Sequence, residues 1–275
     1  MLKQAIDLPG IGNARELGGY AAGDRIIKKG VLFRTAGLDG ASKEALDKMQ
    51  NSLLLQTVID FRMTVERRVS PDPEIPSVRN IHLPVIEAED YPVGVDTNMV
   101  EEIKKTDRMK LFEMAYASGM LNSDYYSGIM LGERGRNAYR GFFRVLLGTD
   151  PDKGAVLWHC TDGKDRTGCA AMLLLSALGA SREVIIEDYM LTNEYNASRI
   201  GAVKQMAEAA QMPPDKSDAL MFMSGAVVER YMTKAIDTLE EKYGSVEGYL
   251  REELNVGDPE LEELRNKFLC GGRYE

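Results

Sequence analysis

Histidine and cysteine are scarce in this 275-residue chain, at two and three residues, and the scarcity removes several classes of protein. His82 and His159 lie far apart and no HExxH pair is present, so a zinc site has little to draw on and no metal or other cofactor is expected. Cys160, Cys169 and Cys270 form no CxxC pair and cannot all be bridged, so they read as thiols in a reducing compartment, not as a disulfide framework. No apolar run of 18 or more residues could span a membrane. The N-terminal Met1-Leu2-Lys3-Gln4-Ala5-Ile6-Asp7 lacks the apolar stretch of a secretory signal, so a cytoplasmic location is expected, with secretion only if a leader has been removed. Positive charge is not in excess: the net charge of -9 argues against a nucleic-acid binder and requires any phosphate site to be positive locally. Repeats and low-complexity tracts are absent, which excludes solenoids.

What is present is ordinary globular usage, 44% hydrophobic and 28% charged, in a chain long enough for one domain, residues 1–275, with an appendage. Leu53 to Phe61 and Gly154 to Trp158 are short, nearly continuous apolar runs that suit strands covered on both faces, and Asn80 to Ile86 offers a third. From Arg25 to Arg34, two apolar runs flank Lys28-Lys29-Gly30 and predict a small hairpin. Cys169 to Leu178 is apolar around its whole circumference and stops at Gly179, which predicts a central helix. Ser181 with Glu183 opens the next helix. Val228, Tyr231, Met232, Ala235, Ile236, Leu239 and Tyr243 mark an amphipathic one, and Asp258-Pro259-Glu260 caps the last. Between 87 and 140 five methionines and several tyrosines replace any strand pattern. That stretch reads as a helical insertion, either a lid over the active site or a plain core layer. Strands separated by helices, followed by a helical C-terminal section, give an α/β architecture.

The chemistry is concentrated in His159-Cys160-Thr161-Asp162-Gly163-Lys164-Asp165-Arg166-Thr167-Gly168, where a buried strand ends and a helix begins. Such a junction leaves backbone N–H groups and a helix dipole aimed at an anion. Five residues separate Cys160 from Arg166, a length that lets the loop curl so that its amides and the guanidinium share one centre. A helix N-terminus and nearby cations favour the thiolate that a cysteine nucleophile requires. The planar fork of Arg166 can grip two phosphoryl oxygens. In-line attack would give a phosphocysteine that water hydrolyses, the loop itself neutralising the charge. Asp165 is the candidate general acid, with bracing of the loop as the alternative. Lys164 adds positive charge towards the substrate, Gly163 and Gly168 permit close backbone approach, and Thr167 can hydrogen-bond the sulfur as the intermediate breaks. His159 orients the loop rather than acting as a base. Asp162, a carboxylate in an anion site, must face outward, pair with Lys164, or read a substrate hydroxyl. Cys169 and Cys270 read as small buried hydrophobes.

This loop resembles that of the protein-tyrosine-phosphatase superfamily, and more narrowly the bacterial tyrosine-phosphatase-like group whose loop reads HCxxGKDRTG. Other segments of that group are matched by Asn13 to Tyr20, Leu32 to Leu38, Val58-Ile59-Asp60-Phe61-Arg62 with Glu66, Asp188 to Asn193, and Tyr243 to Leu250; only 87–140 lacks a clear counterpart. The resemblance implies a phosphatase-type fold with a central, mostly parallel sheet flanked by helices. It implies Cys160 as nucleophile, Arg166 as phosphate clamp and Asp165 as acid. It also implies broad use of phosphotyrosine, phosphoserine, phosphothreonine and phosphoinositides as protein or lipid substrates. Asp60 and Arg62 would sit beside the loop, where Asp60 could hold Lys164, or would merely cap a strand end. Thr161-Asp162-Gly163 is similar to the Ser-Asp-Gly of myotubularin lipid phosphatases, a tilt towards inositol lipids. The expected activity is therefore metal-independent phosphomonoester hydrolysis. The alternatives are a phosphate-recognising binding module, which loss of Cys160 or Arg166 would have marked, and another anion-binding thiol enzyme, which would want a resolving cysteine such as Cys169.

Overall fold

The computed structural model describes residues 4–90 and 107–271. Its strands, in chain order, are β1 (Arg15–Glu16), β2 (Ala21–Ala22), β3 (Arg25–Ile27), β4 (Leu32–Thr35), β5 (Leu55–Asp60), β6 (Arg79–His82), β7 (Ala155–His159) and β8 (Leu269–Cys270). Five of them form a sheet in the order β1-β4-β7-β5-β6, in which β4, β7, β5 and β6 run parallel and β1 pairs antiparallel at the edge. The central strand β7 is buried at every position because both sheet faces are covered. Alternation along it divides the core: Ala155 and Leu157 join Ala45 and Met49 of α1 (Lys43–Asn51), whereas Val156 and Trp158 point into the larger cluster on the other face.

The short α2 (Thr64–Val69) follows β5, and among the described residues the α-helices between β6 and β7 are α3 (Arg108–Ala117), α4 (Tyr125–Leu131) and α5 (Glu133–Leu147). The larger cluster is then built on α6 (Asp165–Leu178), of which only Asp165, Arg166 and Ser176 escape full burial. Burying each of its leucines contributes about 1.5–3 kcal/mol, and the helix stops at Gly179, whose φ of 87° is left-handed. Around it stand α7 (Arg182–Tyr195), α8 (Ala197–Ala209), α9 (Pro214–Met223), α10 (Glu229–Tyr243), α11 (Val246–Leu254) and α12 (Asp258–Phe268). This is the expected α/β architecture with a helical C-terminal section.

Three local expectations are corrected. The runs flanking Lys28-Lys29-Gly30 do not pair with each other: β3 pairs with β2 and β8 in a separate three-stranded sheet, while β4 pairs with β1 and β7. The turn connects two sheets, a topology that local turn chemistry cannot distinguish from a hairpin. The strand expected over Asn80 to Ile86 spans Arg79–His82; Leu83 N–H still donates to the Asp60 carbonyl (2.9 Å), but the chain from there to Ile86 has no regular strand. Gly257, not Asp258, caps the last helix, and Asp258 and Pro259 form its first turn.

Of the stretch 87–140, residues 91–106 lie outside the described residues. The rest divides between two packing partners. Phe112 of α3 packs with Ala207, Ala219 and Leu220 of α8 and α9, whereas Tyr126, Ile129 and Met130 of α4 enter the main core with Tyr139 and Phe142 of α5. Among the described residues no helix is long and apolar enough to cross a membrane.

Candidate active site

The C-terminal ends of the parallel strands converge on the loop between β7 and α6, the edge of an open α/β sheet where ligands bind. Its carbonyls are held by the scaffold. Asn13 Nδ2 donates to the carbonyls of Asp162 (3.3 Å) and Gly163 (3.0 Å), Arg34 donates to that of Gly163 (2.9 Å), and Gly37 N–H to that of Thr161 (3.0 Å). With the carbonyl half of these peptide groups committed to the scaffold, the loop can offer its amide half and the N-terminus of α6 to an anion. Gly163 has a φ of 65°, and a Cβ there would lie 2.4 Å from the Thr35 carbonyl oxygen, so the loop can approach β4 only at glycine. Gly168 is different: it lies within α6, and a Cβ would meet nothing nearer than Arg34 Nη2 at 3.5 Å.

Cys160 directly follows the buried strand, 2% exposed, within electrostatic reach of Arg166 and Arg34. The guanidinium of Arg166 is gripped by Glu66 of α2 through contacts of 2.5 and 3.1 Å and donates to Thr161 Oγ1 (3.2 Å). Thr161 in turn donates to Glu66 (2.5 Å). Burial alone would raise the Glu66 carboxyl, but Arg166 outweighs it and holds Glu66 down at about 2. Arg166 is thereby presented in a fixed orientation.

Asp165 stands in the first turn of α6. Its Oδ1 accepts from the Tyr126 hydroxyl (2.8 Å), and its Oδ2 lies 3.7 Å from Lys164 Nζ. Burial raises its affinity for a proton and outweighs the opposing influence of Lys164 and Tyr126. Thr167 is fully buried, and its Oγ1 has no hydrogen-bond partner among the described residues. Cys169 is also fully buried and its thiol is pushed well up by burial, an environment that keeps it protonated. Cys270, in contrast, is exposed.

The pairing considered between Asp60 and Lys164 does not form. Lys164 is buried, donates to the carbonyls of Phe222 and Ala226 at the end of α9, and lies 4.1 Å from the centre of the Phe222 ring. It ties the loop to α9 instead of reaching outward as a movable charge. Asp60 is used by Arg62, which bonds both its oxygens at 2.9 Å and also reaches Asp72 (2.8 Å). His159 sits beside this group, with Nε2 3.1 Å from Asp72 and Nδ1 3.2 Å from the Cys160 carbonyl oxygen. Asp60, Asp72 and His159 are close enough to share a metal ion, but Arg62 already places its positive charge between the two carboxylates. Asp162 does not pair with Lys164 either: its carboxylate meets Arg199 of α8 at 3.0 Å. Burial works against the Asp162 anion, and Arg199 more than offsets it, so the group's pKa is lowered.

Several residues of the site carry no motif of their own. Asp188 of α7 joins Arg15 (2.9 Å) and Arg34 (2.5 Å), all fully buried, and Arg34 and Asn13 then hold the loop. The signal for this group was Arg34 directly after the apolar Val31-Leu32-Phe33, a placement that demands a buried acid; Arg15, beside Glu16 in a two-residue strand, gave none. Glu66 was visible only as part of a matched segment. Tyr126 had no signal, because its partner lies 39 residues away in sequence.

A strand-to-helix anion cradle with a buried cysteine at its start and a clamped arginine in its first helical turn defines a cysteine-based phosphatase. Comparison with known proteins agrees: residues 6–270 match the model of the tyrosine phosphatase family, and the chain belongs to that family. It is 32% identical over 268 residues to a Cupriavidus necator protein provisionally named a tyrosine-protein phosphatase, covering 95% of this chain and 87% of the other. It is 26% identical over 270 residues to the triple specificity protein phosphatase of Mycobacterium tuberculosis, covering 90% and 92%. A tyrosine-protein phosphatase of Nostoc commune is 32% identical over 121 residues, 41% of this chain and 38% of that one.

Proposed function

We propose that this chain hydrolyses phosphomonoesters without a metal, through a phosphocysteine, and that phosphotyrosine is a substrate together with phosphoserine, phosphothreonine or phosphoinositides. Cys160 attacks phosphorus as thiolate, the S–P bond forms, and the leaving oxygen departs with the proton of Asp165. Asp165, now a carboxylate, takes a proton from the water that attacks phosphorus; the S–P bond breaks, and phosphate and the thiolate are released. Arg166 and the loop amides hold the equatorial oxygens throughout, and Thr167 donates to the departing sulfur. Lys164, Asp162 and Gly163 shape the loop. Gly168 continues the helix behind it, and His159, Asp60 and Arg62 brace it from the sheet side.

The observation that carries this reading is the Glu66–Arg166 grip in the loop that Cys160 opens, which holds the guanidinium plane in one orientation. Metal independence is supported by Arg62, which fills the place a cation would take between Asp60 and Asp72. Broad specificity is supported by the relative named for triple specificity. Residues 1–275 act as one phosphatase domain, with 87–140 bordering the site through Tyr126. The thiol nucleophile supports a reducing, cytoplasmic setting. The test is hydrolysis of a phosphotyrosine peptide, a phosphoserine peptide and phosphoinositides in EDTA. Wild type should turn over at least the first and Cys160→Ser none; a wild type inactive on all three that still binds vanadate would make the chain a phosphate-binding module.

A further inference from the structure

Tyr126 and Tyr189 are buried to zero and 2% exposure, and their hydroxyls lie 2.9 Å apart behind Asp165. Val228 N–H donates to the Tyr189 oxygen (3.3 Å), and the single Tyr189 proton has two acceptors in reach, the Val228 carbonyl at 3.3 Å and the Tyr126 oxygen at the shorter 2.9 Å. Tyr126, whose own proton goes to Asp165 Oδ1 (2.8 Å), leaves its oxygen free to accept, so the shorter contact runs from Tyr189 to Tyr126 to Asp165. Hydrogen bonds aligned in this way polarise one another and strengthen the last donor. Both phenols are held far from ionisation, by burial first and by the nearby Asp165 charge. They therefore stay donors at any working pH. The other groups facing Asp165 are Lys164 (3.7 Å from Oδ2), Asp162 and Arg166 on the loop, and the protonated Cys169 further along α6.

From this geometry we infer that Tyr126, backed by Tyr189, is a positioning residue for proton transfer: it occupies Oδ1 of Asp165, so that the proton delivered to the leaving oxygen is carried on Oδ2. The inference rests on the reading of Asp165 as general acid. It makes α4 a working part of the site. A donor to Oδ1 stabilises the carboxylate more than the acid, so its removal must raise the pKa of Asp165. The acid has to be protonated to act, so the alkaline limb of the kcat profile then moves to higher pH.

The test is the kcat–pH profile on a phosphotyrosine peptide for wild type, Tyr126→Phe, Tyr189→Phe and Asp165→Asn, with thermal melts to confirm folding. Tyr126→Phe should shift the alkaline limb up by about one pH unit, and Tyr189→Phe should shift it the same way by less. Asp165→Asn should have no such limb. A folded Tyr126→Phe enzyme with lower kcat at every pH and an unmoved limb would reduce Tyr126 to packing and overturn the inference. An alkaline limb that persists in Asp165→Asn would instead remove Asp165 as the acid, a failure visible separately from the first.

Discussion

Glu66 decides what Arg166 can offer a phosphate. Through one carboxylate it takes two guanidinium donors and the Thr161 hydroxyl, so the arginine's plane is set before substrate arrives. Charge-assisted bonds of this kind contribute about 1.5–3 kcal/mol each. Glu66→Gln keeps the shape but loses the charge. It should lower kcat/KM on a phosphotyrosine peptide by roughly 10–100-fold, the rate equivalent of that energy. Arg166→Lys should cost more, because a point charge cannot span two oxygens. Steady-state kinetics with both variants check this, and a Glu66→Gln enzyme as fast as wild type would mean that the arginine is oriented by substrate alone. At the same scale, the place of the Cys160 to Arg166 loop between a buried strand and a helix start was legible, since strand, cysteine, glycine and arginine agree within ten residues. The partners of Lys164 and Asp162 were not. Both lie on α8, α9 or the turn after them, and nothing local to the loop records which carbonyl or guanidinium the fold will bring to it.

The strand–loop–helix element depends on one glycine of the two that the sequence highlights. At Gly163 both the positive φ and the approach to Thr35 and Ala36 backbone atoms, at 2.4 to 2.6 Å, exclude a side chain. Gly163→Ala should therefore destabilise the protein by roughly 1–3 kcal/mol and abolish turnover by displacing the loop. Gly168→Ala has room and gains about 1 kcal/mol of helix propensity, so its stability should match or exceed that of wild type. Urea denaturation of the pair separates the two cases, and equal destabilisation would show that both glycines are required. Elements with a clear period were legible. The apolar run that became β7, the all-round apolar α6 with its stop at Gly179, and the Ser181 cap all stand where the pattern puts them. The turn after β3 was misread because its pairing is decided by the distant β8, and the role of α4 was hidden because its ligands come from α6 and α7.

For the molecule as a whole, the loop is suspended between buried ion groups: Asp60, Arg62 and Asp72 with the His159 ring beside them, Arg15 and Arg34 with Asp188, and Glu66 with Arg166 at the mouth. Such groups couple stability to function, since each is worth little as a pair but much once a partner is removed. Asp188→Asn leaves two buried guanidinium groups without their acid, and should cost about 3–5 kcal/mol and lower the melting temperature by several degrees. The same logic fixes the response to acid. Glu66 is held at about 2 against a usual 4.5, and Asp60 at about 2 against 3.8; in both, Arg partners outweigh the burial that would raise them. A carboxyl whose folded pKa is depressed adds stability above its unfolded pKa and loses it as pH falls towards the folded one. Through these groups stability should fall by several kcal/mol between about pH 4.5 and 2, with Asp188, also depressed, adding to the loss and Asp165, which burial raises, working in the opposite sense. Chemical denaturation at pH 7, 4 and 3 measures it, and Glu66→Gln should flatten part of the slope. A wild-type stability unchanged down to pH 3 would mean that these carboxylates bind protons equally in the folded and unfolded chain, and the buried pairs would then lose their place as the supports of the loop.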